Sequence, residues 1–573
     1  MEEIHHLMAS DGTVLAYRRW FRAEARAACL CLAGVESHGG WYEAGSSFLH
    51  EHGFNVYFLD RRGSGLSGGK RGHLSHIGEI YRDIDLMIRR MRRDLPERTP
   101  YPIFLLTLSW GAKVGLGFCL RYPRAVDALL CITPGWVSRV DVTFSEKLRM
   151  FISNLIKPDA LFRVPIPDAS FFTSDPAYRS FIENDPLRVT AITARFAMET
   201  HFLDRANAGS QHHRHQRLAH LPLGVFLSGK DPIIDNEGVT RMIRGLKTAN
   251  TRIYYYGDAC HTLEFDRERE RYFKDLVSFP NLVLRERTGE LPPLDYDVLA
   301  PHTRWLRNVL ISPLINYLIP VPLIVGALKR SGSELAHENL TCAGGWRAMM
   351  IIYANRAPRD RIDRLVLTDG VIPMAVRNRR RLAVRKLVEL FDRFDRFDHY
   401  QGTGSIHLLG IGAGTGIATI QAISYRKERA ITAQLLDRDE AAFAAGEELK
   451  KAYEVEKQVQ FLKADLAQLQ DVILVRPGIV KLIGIIEHCS DDVLHHLLRT
   501  LSPFLSAGSV IIVNTTEDTH NLNPFLKRVF KLTLHYRSPS SLIKILNQYG
   551  YRNFTYEYEP LKMYSILIGY KGD

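Results

Sequence analysis

Three polar residues stand just after apolar, strand-like runs and could together hydrolyse an ester. Ser109 follows such a run in "LTLSWGAK", Asp231 follows "LGVFLSG", and His261 follows "TRIYYYG". A histidine can take the proton of a serine, while a carboxylate holds the imidazole in the required tautomer and stabilises the imidazolium that forms. The chain order serine, aspartate, histidine is one that serine hydrolases use. The spacing therefore predicts a nucleophile, a base and an orienting carboxylate.

The turn around Ser109 is unusual for a nucleophile. Such a turn needs small residues two positions before and after the serine. Gly111 supplies the second small residue, but the first position holds Thr107, which is β-branched. This motif alone leaves open whether Ser109 is a nucleophile or an ordinary buried hydroxyl. Its joint placement with Asp231 and His261 favours the nucleophile.

A second group of residues, in the C-terminal half, is typical of a nucleoside pocket. The stretch "LLGIGAGTG" follows a strand-like run and carries Gly410, Gly412, Gly414 and Gly416. The spacing fits G-x-G-x-G and not the G-x-G-x-x-G of nicotinamide-binding proteins. Asp437 and Asp465 end the next two strand-like runs, where carboxylates could accept hydrogen bonds from ribose hydroxyls and an adenine amino group. Glycines there let the backbone approach a ligand at a helix N-terminus.

The elements that must position the first group alternate between strands and helices. A helix-length segment covers residues 77–93, and apolar runs that read as strands cover 27–33, 54–59, 102–108, 128–133, 223–229 and 251–257. This alternation predicts a parallel sheet with helices on both faces. Residues 137–220 are helix-forming and rich in aromatic residues, which predicts a cap over the sheet.

The second group lies in another alternating series, which starts after residue 400. Five strand-and-turn units are followed by two strands at 553–559 and 562–570. Only Pro560 and Leu561 separate these last strands, which is too short for a parallel crossover, so the two must pair antiparallel.

The segment from about residue 27 to 265 resembles the monoacylglycerol lipase and lysophospholipase branch of the α/β-hydrolases. The resemblance rests on "AGVESHGGWY", "FLDRRGSGLSGGKRGH", "LSWGAK", "GKDPIID" and "GDACHTLEFD". It implies an α/β-hydrolase fold with a helical cap, a carboxylic ester substrate with an acyl chain, and oxyanion donors at the backbone N–H groups of Val35 and Trp110. Ala33 stands where such enzymes have a histidine before Gly34.

Residues from about 346 to the end resemble the class I S-adenosylmethionine-dependent methyltransferases, with a Rossmann-like fold and an antiparallel last strand. The resemblance rests on the glycine loop, the final hairpin and "GIIEHCSDDVLHHLLRTLSPFLSAGSVIIVNT". It implies S-adenosylmethionine as the cofactor. Gly410 occupies the position where this family usually has an acidic residue. His488 could deprotonate an acceptor or cap the helix that follows it.

Length and composition predict a globular protein of two or three domains. The chain has 573 residues, of which 46% are hydrophobic and 24% charged, so it is long enough for several cores and not disordered. We expect a hydrolase domain at 1–280, a linker at 281–345 and a methyltransferase domain at 346–573. Seven scattered cysteines without C-x-x-C spacing favour a reducing cytosol over disulfides.

Three further features leave alternatives open. The net charge of +12 favours anionic partners, but the sequence lacks the aromatic-interleaved basic pattern of nucleic-acid binding. Residues 308–328 are uncharged and could be interdomain packing, an interfacial or tunnel element, or a membrane span, although Pro313, Pro320 and Pro322 oppose the span. The basic helix at 376–394 could meet anionic lipid or an acidic substrate, or it could pack, solvated, on the methyltransferase core.

Four histidines lie close together in the sequence of the cap region and form a candidate metal cluster. His212, His213, His215 and His220 lack a carboxylate or cysteine at ligand spacing, which favours a solvated loop over zinc. No metal is expected.

Together these patterns predict a bifunctional enzyme that acts on a lipid or another small molecule. One domain would hydrolyse a carboxylic ester or lysolipid, and the other would methylate a lipid or small amphiphile. Two alternatives remain: a hydrolase-like domain that only binds lipid and recruits the methyltransferase, or an RNA methyltransferase. The expected location is the cytoplasm, with contact at the inner membrane surface left open.

Overall fold

The structure is a computed structural model that describes residues 2–94, 101–208, 216–246, 248, 250–299, 312–393, 405–473 and 475–572. The chain divides into two compact units, Met1–Leu284 and Arg285–Asp573. The predicted domain boundaries at residues 280 and 345, and the predicted cap at 137–220, stay predictions.

The first unit is built on an eight-stranded sheet in the order β1-β2-β4-β3-β5-β6-β9-β10. Strand β1 pairs antiparallel with β2, and β2 pairs antiparallel with β4, while all later neighbours pair in parallel. The strands of this unit, including the small β7–β8 pair outside the main sheet, are β1 Glu3–Met8, β2 Val14–Trp20, β3 Ala27–Leu32, β4 Phe54–Leu59, β5 Ile103–Leu108, β6 Ala128–Ile132, β7 Leu161–Arg163, β8 Ala191–Thr193, β9 Leu223–Ser228 and β10 Thr251–Tyr256.

Helices connect these strands and also form the segment between β6 and β9. They are α1 Glu43–Glu51, α2 Ile77–Asp94, α3 Trp110–Arg121, α4 Phe144–Ile156, α5 Pro176–Glu183, α6 Ala194–Ala208, α7 Asn236–Gly245 and α8 Arg269–Arg287. Helix α4 begins at a capping box in which Thr143 and Glu146 satisfy each other's backbone N–H groups. Helices α4, α5 and α6, with β7 and β8, lie in the region where the cap is predicted.

The second unit contains a seven-stranded sheet in the order β16-β17-β15-β14-β11-β12-β13. Five strands are parallel, and β17 pairs antiparallel with both β15 and β16. The strands are β11 Ile406–Ile411, β12 Ile431–Asp437, β13 Val459–Lys463, β14 Ile479–Leu482, β15 Val510–Thr516, β16 Tyr551–Tyr558 and β17 Tyr564–Lys571. The predicted antiparallel pairing of the last two strands is confirmed.

The helices of the second unit include two short π-helical segments, Leu314–Leu318 and Arg364–Thr368. The α-helices are α9 Val321–Arg330, α10 Glu334–Cys342, α11 Trp346–Ala354, α12 Arg361–Asp363, α13 Val371–Arg393, α14 Ile417–Ser424, α15 Ala441–Tyr453, α16 Leu469–Val472, α17 Asp491–Leu501, α18 Asn523–Val529 and α19 Pro539–Gln548. Within the described ranges, no helix has both the length and the apolar character needed to cross a bilayer.

The predicted interdomain packing of residues 308–328 stays a prediction. Pro320 separates the π-helical segment from α9, and Tyr317 and Leu318 are well exposed, while 308–311 lie outside the described residues. One sequence interpretation is wrong: the basic helix at 376–394 is not solvated or lipid-facing, because α13 buries Arg377, Arg379, Arg385 and Lys386. These cations pair with acceptors inside the unit, among them Asp297, Glu487, Glu286 and Glu557.

Candidate active sites

Ser109 lies on a sharp turn between β5 and α3. Its backbone is in the positive-φ region, with φ of 50° and ψ of −117°. Two hydrogen bonds to the end of the neighbouring strand β6 and the loop after it hold this strained turn. The Ser109 N–H donates to Ile132 O, and the Gly135 N–H donates to Ser109 O, each at 2.9 Å. A non-glycine residue in such a conformation persists only when its surroundings hold it there. The turn thus has the geometry that the sequence predicted for a nucleophile.

The packing around Thr107 explains how a β-branched residue fits before this turn. Thr107 is fully buried, and its hydroxyl donates to Leu130 O at 2.9 Å. On α3, a Cβ at Gly115 would come within 2.6 Å of the Thr107 methyl group. On the other side of Ser109, a Cβ at Gly111 would lie 2.5 Å from Ala33 O. Helix α3 therefore compensates for Thr107 by having glycine where a side chain would clash.

Asp231 and His261 form a buried pair at the carboxyl ends of β9 and β10. His261 Nδ1 lies 2.9 Å from Asp231 Oδ2, and both side chains are at most 3% exposed. The other carboxylate oxygen, Asp231 Oδ1, accepts the N–H groups of Ile233 and Ile234 at 2.8 and 3.0 Å. The carboxylate thus holds Nδ1 as the donor, which leaves Nε2 able to accept a proton.

The loop after β3 carries Val35, the first predicted oxyanion residue, close to the nucleophile turn. A Cβ at Gly34 would lie 3.2 Å from Ser109 Cβ, so the loop backbone passes in contact with the serine. Within the loop, the Gly34 N–H donates to Ser37 Oγ at 3.1 Å, and Ser37 Oγ also accepts from Tyr42 OH. Ser37 thereby gives the loop internal support, although Ala33 replaces the usual histidine.

Arg61 fixes both predicted oxyanion residues and was missed by the sequence reasoning. Its guanidinium donates to Val35 O at 2.5 Å and lies 5.5 Å from the ring of Trp110, the second oxyanion residue. Burial lowers the pKa of Arg61 to about 10. The sequence "DRRG" at residues 60–63 could have indicated Arg61, because it is a charged cluster directly after the buried strand β4.

A short segment between α5 and β8, residues 185–189, clamps the same loop from the cap side. Asp185 Oδ2 accepts from Trp41 Nε1 at 2.6 Å and lies 3.0 Å from His38 Nε2. Arg188 pairs with Glu36 at 2.7 Å. Burial raises the pKa of Glu36, and Arg188 opposes that shift. Sequence reasoning missed these contacts because they join residues about 150 positions apart.

The cap region contributes apolar side chains. Met150, Phe162 and Ala194 form one small buried cluster within it. Phe172 lies edge-on to the His261 ring at 5.9 Å and accepts the Thr262 N–H at its backbone oxygen. Of the four histidines considered as metal ligands, His212, His213 and His215 lie outside the described residues, and the His220 ring contacts the backbone oxygen of Pro123.

In the second unit the glycine loop follows β11. Gly412, Gly414 and Gly416 all have positive φ, whereas Gly410 lies within the strand and pairs with Leu435 and Lys481. A Cβ at Gly412 would lie 2.8 Å from Ile485, and one at Gly416 would lie 2.4 Å from Leu435. Only glycine permits this close turn before helix α14.

The two predicted carboxylates line the same cavity as this loop. Asp437, at the end of β12, accepts the Gly414 N–H at 2.7 Å and the Asp439 N–H at 3.0 Å. Asp465, after β13, is exposed and accepts the Gln468 N–H at 3.2 Å. The cavity has a volume of about 1170 Å³ and is bordered by the glycine loop, both carboxylates and the helices from 312 to 383. It is large enough for a nucleoside ligand together with a second molecule.

A buried charge cluster that lines this cavity was not predicted. Arg379 pairs with Glu487 at 2.5 Å, and its guanidinium lies 4.6 Å from the Tyr564 ring. Burial alone would raise the pKa of Glu487, but the Arg379 charge outweighs it and holds that pKa below its usual range. Burial and the nearby Arg379 lower the pKa of Lys481 to about 8. The run "RNRRRL" gave no means to tell the buried arginine from exposed ones.

His488 lines the cavity and does not cap the next helix. The cap of α17 is Ser490, whose side chain accepts the Val493 N–H. The capping interpretation of His488 is therefore wrong.

Several known proteins are similar to about half of this chain. The family model described as serine aminopeptidase, S33, matches residues 23–268. The monoglyceride lipase of Rattus norvegicus is 23% identical over 289 residues, which cover 50% of this chain and 89% of that protein. The monoacylglycerol lipase of Mycolicibacterium smegmatis is 24% identical over 286 residues, covering 48% of this chain and 95% of that protein. The crystal structure of Paleococcus ferrophilus monoacylglycerol lipase matches with a TM-score of 0.41 and 22% identity, over 47% of this chain and 98% of that one.

The N-terminal part of the chain, about 270 residues, is an α/β-hydrolase. Within that class it is similar to the monoacylglycerol lipases and to the S33 family.

Proposed function

We propose that Ser109, Asp231 and His261 are the catalytic triad of a hydrolase that cleaves carboxylic esters of acyl chains, such as lysolipids or glycerides. The observation that supports it best is the buried Asp231–His261 pair after β9 and β10, together with the strained serine turn after β5 of the same parallel sheet. The similarity to the two monoacylglycerol lipases supports the substrate class.

In this mechanism Ser109 Oγ attacks the ester carbonyl carbon while His261 Nε2 takes the hydroxyl proton. Asp231 stabilises the imidazolium through Nδ1. The carbonyl oxygen becomes an oxyanion, which the backbone N–H groups of Val35 and Trp110 stabilise. The imidazolium then protonates the leaving alcohol as the ester bond breaks, and an acyl-enzyme forms. Water, deprotonated by His261, releases the carboxylic acid and restores Ser109.

A fluorophosphonate probe tests this assignment, because it labels only an activated serine. We expect labelling of the full chain, loss of labelling and of ester hydrolysis in Ser109→Ala, and full labelling in the matched control Ser145→Ala, whose serine is exposed on α4. A probe that does not react with Ser109 in the folded chain would contradict the triad and favour a hydrolase-like domain that only binds lipid.

We further propose that the second unit is a class I methyltransferase that uses S-adenosylmethionine and acts on a lipid or small amphiphile. Support comes from the five parallel strands with a reversed final pair, the glycine loop and the two carboxylates at one cavity. The chemistry of these groups fits the cofactor, which supplies an electrophilic methyl group when bound.

The polar residues and the glycine loop that line the cavity have distinct roles in this proposal. Asp437 would accept hydrogen bonds from the ribose hydroxyls, and Asp465 would accept one from the adenine amino group. The glycine loop lets the backbone approach the cofactor without a Cβ in the way. Lys481, with its lowered pKa, and His488 border the cavity where either could take a proton from an acceptor at Nζ or at a ring nitrogen. Excluding water and aligning the acceptor would be the main contribution of the apolar walls.

Calorimetric titration with S-adenosylmethionine tests the cofactor assignment. We expect Asp437→Ala to weaken binding about 10- to 100-fold, because hydrogen bonds to a charged acceptor contribute about 1.5–3 kcal/mol each. The matched control is Asp471→Ala, an exposed aspartate outside the cavity lining. Absence of binding to the unaltered chain would contradict the proposal.

Burial of charge in the second unit does not favour the RNA alternative. Four cations of the basic helix α13 are buried and paired, so they are not available to phosphates. The net charge of +12 therefore overstates the basic surface that this helix offers.

A further inference from the structure

An exposed apolar surface borders the cavity of the second unit. It comprises Leu314, Tyr317, Leu318, Leu323 and Leu365, whose exposed fractions are 45%, 60%, 70%, 65% and 56%. Leu323 and Leu365 also line the cavity. Large side chains exposed together in this way usually mark a binding surface.

Three carbonyl groups next to the exposed side chains of this surface are satisfied from the protein side. Arg528 donates to Ile315 O and Ile319 O at 3.2 Å each, and also to Asn316 O. The Asn316 amide donates to Asn521 O at 2.6 Å. A segment that enters an apolar phase must satisfy its backbone groups in this manner. These contacts lower the cost of bringing Leu314, Tyr317 and Leu318 to an apolar phase.

Exposed cations lie in the helices that carry this surface. Lys329 and Arg330 end α9, and Arg361 and Arg364 precede Leu365. Among the residues that the structure describes, none of these four has an ion-pair partner, whereas nearby Asp363 is buried and paired with Arg356. Positive charge next to exposed leucines, with a tyrosine at their border, is the composition of a surface that meets anionic headgroups.

We propose that this apolar surface docks on an anionic lipid bilayer. The leucines enter the acyl region, Tyr317 lies at the headgroup level, and the four cations meet lipid phosphates. The proposal does not depend on methyl transfer, although docking would place the mouth of the cavity at the lipid. A bilayer is the partner that fits, because Lys329, Arg330, Arg361 and Arg364 are exposed without an ion-pair partner among the described residues and complement the charge of anionic headgroups.

Vesicle flotation of the full chain tests the proposal. We expect binding to vesicles of equal parts phosphatidylcholine and phosphatidylglycerol, and weaker binding to phosphatidylcholine alone. Leu318→Ser with Leu323→Ser should lower the partition coefficient about tenfold or more, because each removes a leucine from the apolar phase. Lys329→Gln with Arg330→Gln should lower binding to the anionic vesicles about fivefold per charge and leave neutral vesicles unaffected.

Three controls keep the result specific. Tyr425→Ser removes an exposed aromatic residue elsewhere in the same unit and should leave binding unchanged.

Leu155→Ser with Ile156→Ser removes exposed leucine and isoleucine from α4 of the first unit; if only this pair abolishes flotation, the proposal is wrong. If Leu318→Ser with Leu323→Ser instead converts a dimer to a monomer in light scattering and leaves flotation intact, the surface binds a second copy. Titrating the same variants with S-adenosylmethionine measures whether they still bind the cofactor. This measurement distinguishes loss of membrane docking from failure of the methyltransferase proposal.

Discussion

At the scale of single residues, the nucleophile turn depends on how Thr107 and Gly115 share space. The Thr107 methyl group occupies the volume that a Cβ at residue 115 would need. We therefore predict that Gly115→Ala destabilises the folded protein by about 1–3 kcal/mol, which is typical of overpacking a filled core. Thermal unfolding measures this change, and ester hydrolysis should fall with it because the strained turn loses support.

A second substitution checks this cause. Thr107→Ser removes the methyl group and keeps the hydroxyl that donates to Leu130 O. In the double variant Thr107→Ser with Gly115→Ala, part of the lost stability should return, giving a coupling energy between the two sites. Strictly additive effects would mean that the clash lies elsewhere, for example against Leu129, whose Cδ1 is 3.2 Å from the same position.

Also at this scale, Glu264 should make stability depend on pH. It lies three residues after His261, is 4% exposed and accepts the Gly45 N–H at 2.7 Å. Burial raises its pKa to about 8 from the ordinary value of 4.5. The folded state thus binds the proton more tightly than the unfolded state, so this contribution to stability is full below pH 4.5 and is lost as the pH rises through 8.

Glu264→Gln removes this titration because glutamine stays neutral. We predict that the urea concentration at the unfolding midpoint increases for the variant relative to the unaltered chain as the pH rises from about 5 to 8. The exposed Glu51→Gln should show no such trend. A constant difference between Glu264→Gln and the unaltered chain at every pH would refute the assignment.

At the scale of elements, the segment 185–189 holds the oxyanion loop through Asp185. We predict that Asp185→Ala lowers kcat for ester hydrolysis about 10- to 100-fold with little change in KM, since hydrogen bonds to a charged group contribute about 1.5–3 kcal/mol. Asp185→Asn should rescue part of kcat, because its amide oxygen can still accept from Trp41. The matched control Asp175→Ala removes the cap of α5, where Asp175 accepts the Ala177 N–H. An equal loss of kcat in this control would point to general loosening of the cap.

The sequence predicts a helix or strand where its pattern of apolar and polar residues lies within the segment itself. Buried parallel strands such as β4 and β9 are continuous apolar runs, and α2 was predicted within one residue of its end. The edge strand β1 and its neighbour β2 were missed because histidines in β1 and arginines in β2 interrupt any apolar run. The Ser109, Asp231 and His261 positions could be read from strand ends, but Arg379 with Glu487 could not, since 108 positions separate them. An ion pair between residues far apart in the sequence produces no periodic pattern from which it could be predicted.

At the scale of the whole molecule, each candidate site is built from residues of one unit. Ser109, Asp231 and His261 belong to Met1–Leu284, and every residue that lines the large cavity belongs to Arg285–Asp573. Neither set of groups needs a side chain from the other unit to bind or to move a proton. The two activities should therefore respond separately to substitutions.

Reciprocal substitution in the full chain tests this independence. We predict that Ser109→Ala abolishes ester hydrolysis and leaves the Kd for S-adenosylmethionine within error of the unaltered chain. Asp437→Ala should raise that Kd about 10- to 100-fold, by the loss of charged hydrogen bonds, and leave kcat/KM for the ester unchanged. A change in ester hydrolysis on Asp437→Ala, or in cofactor affinity on Ser109→Ala, would instead require a coupling free energy between the sites. Because such coupling is reciprocal for binding, saturating cofactor would then have to alter the affinity for an ester analogue by the same factor, which calorimetry can measure directly.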